Sequence, residues 1–194
     1  MRKIGEISAE KMRVKENLDR VLANDSRDIN LVRRAVRNKI LINPQLELNN
    51  KLEKLLKEEY ELEREENEVN FKLQLIDEGK KSNTPEFERA LEELMIQSDI
   101  NSLSYTDQQI DDYRKVIRVK VILGDEIPQT DILGTLLSKQ VILEREKLRS
   151  DIEKELSRHF DKNNPDFQNT LNVRMIMEDR AVLDGQEFTQ HENE

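Results

Sequence analysis

The feature that most constrains this chain is an apolar residue at every seventh position along a stretch of about residues 45–79. The stretch has no Pro and reaches its first Gly only at its end, and it is dominated by Leu, Glu and Lys, which favour helices. The members of the row are Leu48, Leu55, Leu62, Val69 and Ile76. An apolar row over five heptads is typical of the d positions of a coiled coil. The sequence therefore predicts one long helix over about residues 45–79.

The a positions of the same heptads are less regular, since Leu52 and Leu73 flank two acidic residues, Glu59 and Glu66. A closely packed seam would bury these two carboxylates at a cost in free energy. We therefore expect them to face an open seam or the basic side chains of a partner. The apolar ridge is also longer than the short helices of the chain can cover, which predicts contact with another protein. The predicted interaction residues are Leu48, Leu52, Leu55, Leu62, Val69, Leu73 and Ile76.

A second long amphipathic helix is predicted over about residues 131–160. Its main apolar stripe consists of Leu133, Leu137, Val141, Leu148, Ile152 and Leu156. No segment shows the sustained alternation of a strand, and we identify no repeat that would indicate a solenoid. The predicted fold is all-α, an elongated bundle in which the two long helices form a coiled-coil-like hairpin or bundle with shorter helices around them.

Capping and breaking residues divide the rest of the chain into four predicted regions. Residues 1–43 form a basic pair of helices, capped by Ser8 and Ser26 and ended before Pro44. Residues 44–163 form the long-helix region, residues 164–184 a C-terminal helix, and residues 185–194 a flexible acidic tail.

Composition excludes several classes of protein. Only 36% of the residues are hydrophobic and 38% are charged, which favours thin helical layers over one thick core. The absence of Cys excludes disulfides and thiolate chemistry. No run of about 18 apolar residues is present, so we expect no membrane span. The N-terminus lacks the apolar segment of a secretory signal, and we expect a cytoplasmic protein or a component of a viral particle assembled in the cytoplasm.

The net charge of −9 is unevenly distributed. Residues 1–43 hold 11 Lys and Arg against 6 Asp and Glu, whereas residues 44–100 hold 8 against 16. The basic part suits nucleic acid, an acidic membrane surface or the acidic long helix of another copy, although a solvated helix face explains the same residues. The candidate phosphate-binding residues are Arg33, Arg34, Arg37 and Lys39.

A basic helical N-terminus, a long central hairpin and an acidic tail make the layout of this chain similar to that of the small terminase subunits of tailed phages. The resemblance implies a nucleic-acid-binding accessory protein, in which the N-terminal helices contact phosphate and the remainder oligomerises. This is the alternative to our main functional prediction.

Few residues have the character of catalytic groups. Asp151, Glu155 and His159 are spaced by four and share a helical face, which fits two carboxylates beside a base or half of a metal site. An ion-pair ladder near a helix C-terminus explains the same pattern and is favoured. We predict no metal site, no cofactor and no enzymatic activity. The main prediction is a structural, assembly or adaptor protein that acts through helices, either by forming homo-oligomers or by docking to a larger protein assembly.

Overall fold

The computed structural model describes residues 3–23 and 28–191, and the side chains of these residues as far as residue 185. The described residues form seven α-helices and no strand, which confirms the all-α prediction. The helices are α1 (Ile4–Leu22), α2 (Ile29–Ile42), α3 (Lys51–Asp77), α4 (Pro85–Asn101), α5 (Asp107–Leu123), α6 (Ile132–Leu156) and α7 (Pro165–His191).

The chain divides into two compact units, Met1–Leu103 and Ser104–Glu194. The first unit contains α1 to α4 and the second contains α5 to α7. The predicted boundaries after residues 43 and 163 each fall inside one of these units. Because α3 and α6 belong to different units, the coiled-coil hairpin of the two long helices stays a prediction.

Capping side chains set the ends of the helices, in part where the sequence predicts them. Helix α1 begins at Ile4, before the expected cap Ser8, while the expected cap Ser26 lies outside the described residues. Helix α2 is instead capped by Asp28, whose carboxylate accepts the backbone N–H groups of Asn30 and Leu31 at 2.9 and 3.4 Å. Such a cap satisfies amide groups that have no partner inside the helix.

Helices α3 and α6 are both shorter than the sequence predicts. The Asn50 side chain accepts the N–H of Leu52 at 2.9 Å, so α3 begins at Lys51 and residues 45–50 are not helical. Helix α6 ends at Leu156. Helix α7 continues past the predicted end at residue 184 to His191, and residues 192–194 lie outside the described part of the chain.

The core of the first unit forms around α3. Helices α1 and α2 pack their apolar stripes on α3, and α4 packs along α3 from Leu75 back to Tyr60. The main buried residues of the α1–α2–α3 layer are Ile7, Val14, Leu18, Val36, Ile40, Leu48, Leu52, Leu56, Tyr60, Leu62 and Val69. Leu75 of α3 meets Phe87 and Leu91 of α4 in a second cluster. Each helix thus buries one stripe, as its charge content requires.

The second unit has a smaller described cluster, in which Ile152 and Leu156 of α6 pack against Phe167 and Leu171 of α7. Phe167 and Leu171 are 2% and 0% exposed, so this face of α7 is fixed to α6. The opposite face of α7 is left to solvent.

The two units share an internal repeat, and the sequence analysis missed it. Residues 62–65 and residues 143–146 both read Leu-Glu-Arg-Glu, 81 positions apart. Residues 83–99 and 163–179, 80 positions apart, share seven residues: Asn, Pro, Phe, Leu, Met, Ile and Asp at the same seven places. In the structure, α2, α3 and α4 correspond in order to α5, α6 and α7. This repeat is long and occurs only twice, so it differs from the solenoid repeats that the sequence analysis looked for.

We predict that core and surface leucines of α3 differ sharply in their effect on stability. Leu56 is 1% exposed, whereas Leu73, on the predicted ridge, is 45% exposed. Leu56→Ala should lower the free energy of unfolding by about 2–5 kcal/mol, because it removes buried methyl groups and leaves a cavity. Leu73→Ala is the matched control and should change it by less than about 0.5 kcal/mol. Urea denaturation measures both, and equal effects would contradict the assigned helix face.

Candidate protein-interaction surface

The acidic face of α3 is covered by basic side chains of the same chain. Glu59 accepts two hydrogen bonds from Arg33, with Nε to Oε2 at 2.8 Å and Nη2 to Oε1 at 3.2 Å. Glu66, the second acidic a position, pairs with Lys11 of α1 at 2.5 Å. These glutamates therefore face basic groups of α1 and α2 in the same chain, and not an open seam or the basic side chains of a partner as expected.

Three further ion pairs join the N-terminal helices to α3. They are Arg37–Glu63 at 2.8 Å, Lys39–Glu53 at 2.9 Å, and Arg13–Glu58. The hydrogen bond to Glu59 raises the pKa of Arg33, which shows that its charged form is stabilised where it lies. Three of the four predicted phosphate-binding residues are therefore already paired with carboxylates. The fourth, Arg34, is exposed, and no ion pair joins it to a carboxylate among the described residues.

The predicted apolar ridge is mostly buried inside the first unit. Leu48, Leu52, Leu62 and Val69 are between 1% and 7% exposed, and Leu55 is half-buried against the same core. Helices α1 and α2 provide this cover, so these residues serve the core of the monomer and are not open to a partner. The short helices cover more of the ridge than the sequence analysis expected. Leu73 and Ile76 are the exceptions, at 45% and 49% exposed.

A buried polar group that the sequence analysis missed lies at the centre of the first unit. Tyr60 is 7% exposed, and its hydroxyl donates to Oδ1 of Asp99 at 2.9 Å. Asp99 is 5% exposed and also pairs with Arg64 at 3.3 Å. The guanidinium of Arg37 lies 5.0 Å from the centre of the Tyr60 ring, within the range of a cation–π contact. In the predicted heptad Tyr60 occupies a b position, which normally faces solvent, so the periodicity could not identify it.

The second unit repeats the ionic part of this arrangement without the tyrosine. Arg118 donates to Glu144 at 2.7 Å, as Arg37 does to Glu63 in the first unit. Arg145 pairs with Asp179 at 2.6 Å, as Arg64 does with Asp99. The position that corresponds to Tyr60 is Val141. The duplicated Leu-Glu-Arg-Glu segments supply two of these residues in each unit, and comparing them would have revealed the pattern from the sequence.

Two of the three residues considered for chemistry, Asp151 and Glu155, form surface ion pairs. Glu155 accepts from Arg174 at 2.8 Å, and this hydrogen bond lowers the pKa of Glu155. Asp151 lies 4.0 Å from Lys154. His159 is exposed and follows the end of α6. The described residues contain no group of three acidic or histidine side chains arranged to hold a metal ion.

The outer face of α7 carries an exposed apolar stripe. Val173, Ile176 and Met177 are 55%, 64% and 65% exposed. Their spacing of three and four places them on one side of the helix. The residues 80 positions earlier in α4 are Glu93, Ile96 and Gln97, so two of the three apolar residues have polar counterparts. Ile96 itself is only 5% exposed.

Comparison of the chain with protein-family models, curated proteins and solved structures gives no match. Among the described helices, none combines the length and the apolar character needed to cross a membrane.

We predict that the Arg33–Glu59 pair contributes to stability through both charge and geometry. Glu59→Gln should lower the free energy of unfolding by about 1 kcal/mol, since the pair is bidentate and partly buried. Glu61→Gln is the control, because Glu61 is 55% exposed and lies 3.7 Å from Lys57. Denaturation at low and high salt measures both variants, and salt should reduce the Glu59 effect. An effect no larger than that of the control would contradict the role of the pair.

We also predict that Tyr60 makes stability fall at alkaline pH. Burial, followed by the negative charge of Asp99, raises the pKa of Tyr60 above its usual value. The folded state therefore holds the phenolic proton more tightly than the unfolded state does. The resulting stability is complete below about pH 10 and is lost as the pH rises from there through the folded-state pKa. Thermal unfolding between pH 8 and 11 should show a shallower decline for Tyr60→Phe, and an identical decline would contradict the assignment.

Proposed function

We propose that this chain is a non-enzymatic adaptor or assembly protein that binds other proteins through exposed apolar helix faces. The observation that supports the proposal is the stripe of Val173, Ile176 and Met177 on α7. Contiguous exposed apolar surface is unfavourable in water, and it marks interaction sites more often than isolated apolar residues do.

The helix that carries the stripe is packed against the core of the second unit. Phe167 and Leu171 anchor the opposite face of α7 in the core of the second unit. The stripe is therefore presented on a formed helix, so that a partner does not have to fix the backbone on binding and the entropic cost of association is smaller. An amphipathic helix that offers anchors at this spacing suits a groove or another helix.

Of the predicted coiled-coil residues, only Leu73 and Ile76 are part of this proposal. They are exposed near the C-terminal end of α3. These two residues extend the heptad row beyond the part that α1 and α2 cover. In this proposal they form a second, smaller contact for a helical partner. We propose as partner another copy of the chain or a larger protein assembly, in the cytoplasm or in a viral particle assembled there.

The nucleic-acid alternative does not gain support from the site. Arg33, Arg37 and Lys39 donate to carboxylates of α3, so phosphate would have to displace those partners. The surrounding glutamates would repel a phosphate backbone. We therefore make the protein-binding role the single proposal.

The proposal predicts that charge on the α7 stripe abolishes association. The wild-type chain should have a mass in solution above that of a monomer, or retain a protein partner in a pull-down from its host. Ile176→Glu combined with Met177→Glu should return it to a monomer or lose the partner, because binding would bury two unpaired carboxylates. Light scattering after size exclusion measures the mass, and circular dichroism checks that the helices remain.

Leu123→Glu is the matched control, since Leu123 is 60% exposed in the same unit but is not part of the stripe. This variant should associate as the wild type does. A wild-type monomer that retains no partner would refute the proposal, as would unchanged association of the double variant.

A further inference from the structure

The second unit contains a pocket at the place where the first unit holds the Tyr60 ring. The pocket has a volume of about 220 Å³ and lies among α5, α6 and α7. Its lining includes Arg118, Val141, Glu144, Arg145 and Asp179. In the internal repeat these residues correspond, in the same order, to Arg37, Tyr60, Glu63, Arg64 and Asp99.

The correspondence relates the pocket to the Tyr60 position of the first unit. In the first unit the Tyr60 ring occupies the space between Arg37 and Asp99, and it contacts both. In the second unit Val141 is 2% exposed at the same position, and its short side chain does not fill the equivalent space. The pocket therefore lies where the repeat places a smaller side chain in the second unit.

The size of the pocket suits one aromatic ring. A buried cavity of about 150 Å³ is enough to bind benzene in a protein core. The volume of about 220 Å³ leaves room for a ring with one further substituent. The apolar part of the lining includes Ile122, Leu148 and Val182, which suits the faces of such a ring.

The polar part of the lining suits a phenolic hydroxyl group in particular. Asp179 corresponds to Asp99, which accepts the hydroxyl of Tyr60 at 2.9 Å. Arg118 corresponds to Arg37, whose guanidinium lies over the Tyr60 ring. Arg145, which also lines the pocket, has a buried Nε with no hydrogen-bond partner among the described residues.

We infer that this pocket is a binding site for a phenolic ring, supplied by the tyrosine side chain of another protein or by a free phenol. The ring lies beside Val141, the guanidinium of Arg118 faces it, and its hydroxyl donates to Asp179. The bound ring thus takes the place that Tyr60 fills in the first unit. The inference depends on the internal repeat and not on the α7 stripe, so it stands or falls separately from the proposed function.

Titration of the ¹⁵N-labelled full chain followed by NMR tests the inference. We use p-cresol as a bare ring and N-acetyl-tyrosinamide as a tyrosine in peptide form. At least one of them should shift amide resonances of α5, α6 and α7 around Val141, and the one that binds more tightly identifies the source of the ring. N-acetyl-phenylalaninamide should bind at least about fivefold more weakly than the tyrosine amide, because it lacks the hydroxyl that Asp179 accepts.

Two reciprocal variants locate the site. Val141→Tyr should fill the pocket, abolish the shifts and raise the melting temperature. Tyr60→Val should open an equivalent pocket in the first unit and add a second set of shifts around residue 60. If Val141→Tyr fails to fold, the Tyr60→Val arm still tests the inference. Absence of specific shifts in the wild type with both phenols would overturn it, as would unchanged shifts in folded Val141→Tyr or equal binding of the phenylalanine amide.

Discussion

Neutralisation of the acidic face of α3 is the interaction on which the first unit depends. An isolated helix with this density of glutamate would repel itself and could not be covered by an apolar partner without burying charge. Helices α1 and α2 bring a basic edge together with an apolar stripe, so the same contact neutralises Glu59 and Glu66 and covers Leu62 and Val69. The basic and the acidic part of the chain therefore pair with each other inside the first unit, and this pairing stabilises the fold.

The internal repeat changes how the second unit is understood. Both units keep an arginine–glutamate and an arginine–aspartate pair at corresponding positions, which indicates that these pairs fix the packing of three helices. The positions at which the two units differ then indicate which surfaces are particular to the second unit. A pocket lies beside Val141, which stands in place of Tyr60, and Val173 and Met177 in place of Glu93 and Gln97 form part of an apolar stripe. At both places the first unit differs, since it carries a tyrosine ring at the first and polar side chains at the second.

Much of the fold followed from local patterns, whereas the candidate site did not. Helix formers, capping side chains and the proline at the first position of α4 indicated where helices lie, because these effects act within a few residues. The heptad pattern correctly marked Leu52, Leu62 and Val69 as apolar contacts, but they pack in the core of their own unit and not against another protein. Tyr60 and Asp99 are far apart in the sequence and neither carries a local signal, so their buried hydrogen bond was not predictable.

The sequence by itself determined that this chain is helical, that its helices are amphipathic and that its charge is divided between a basic and an acidic part. Those properties depend on residue type and spacing alone. Tertiary structure decided which surfaces meet, since a ridge such as Leu48 to Val69 fits a helix of the same chain as well as one from another molecule. Only the folded unit shows that α1 and α2 cover it. A segment of the same chain is favoured there because it has a higher effective concentration than a separate partner.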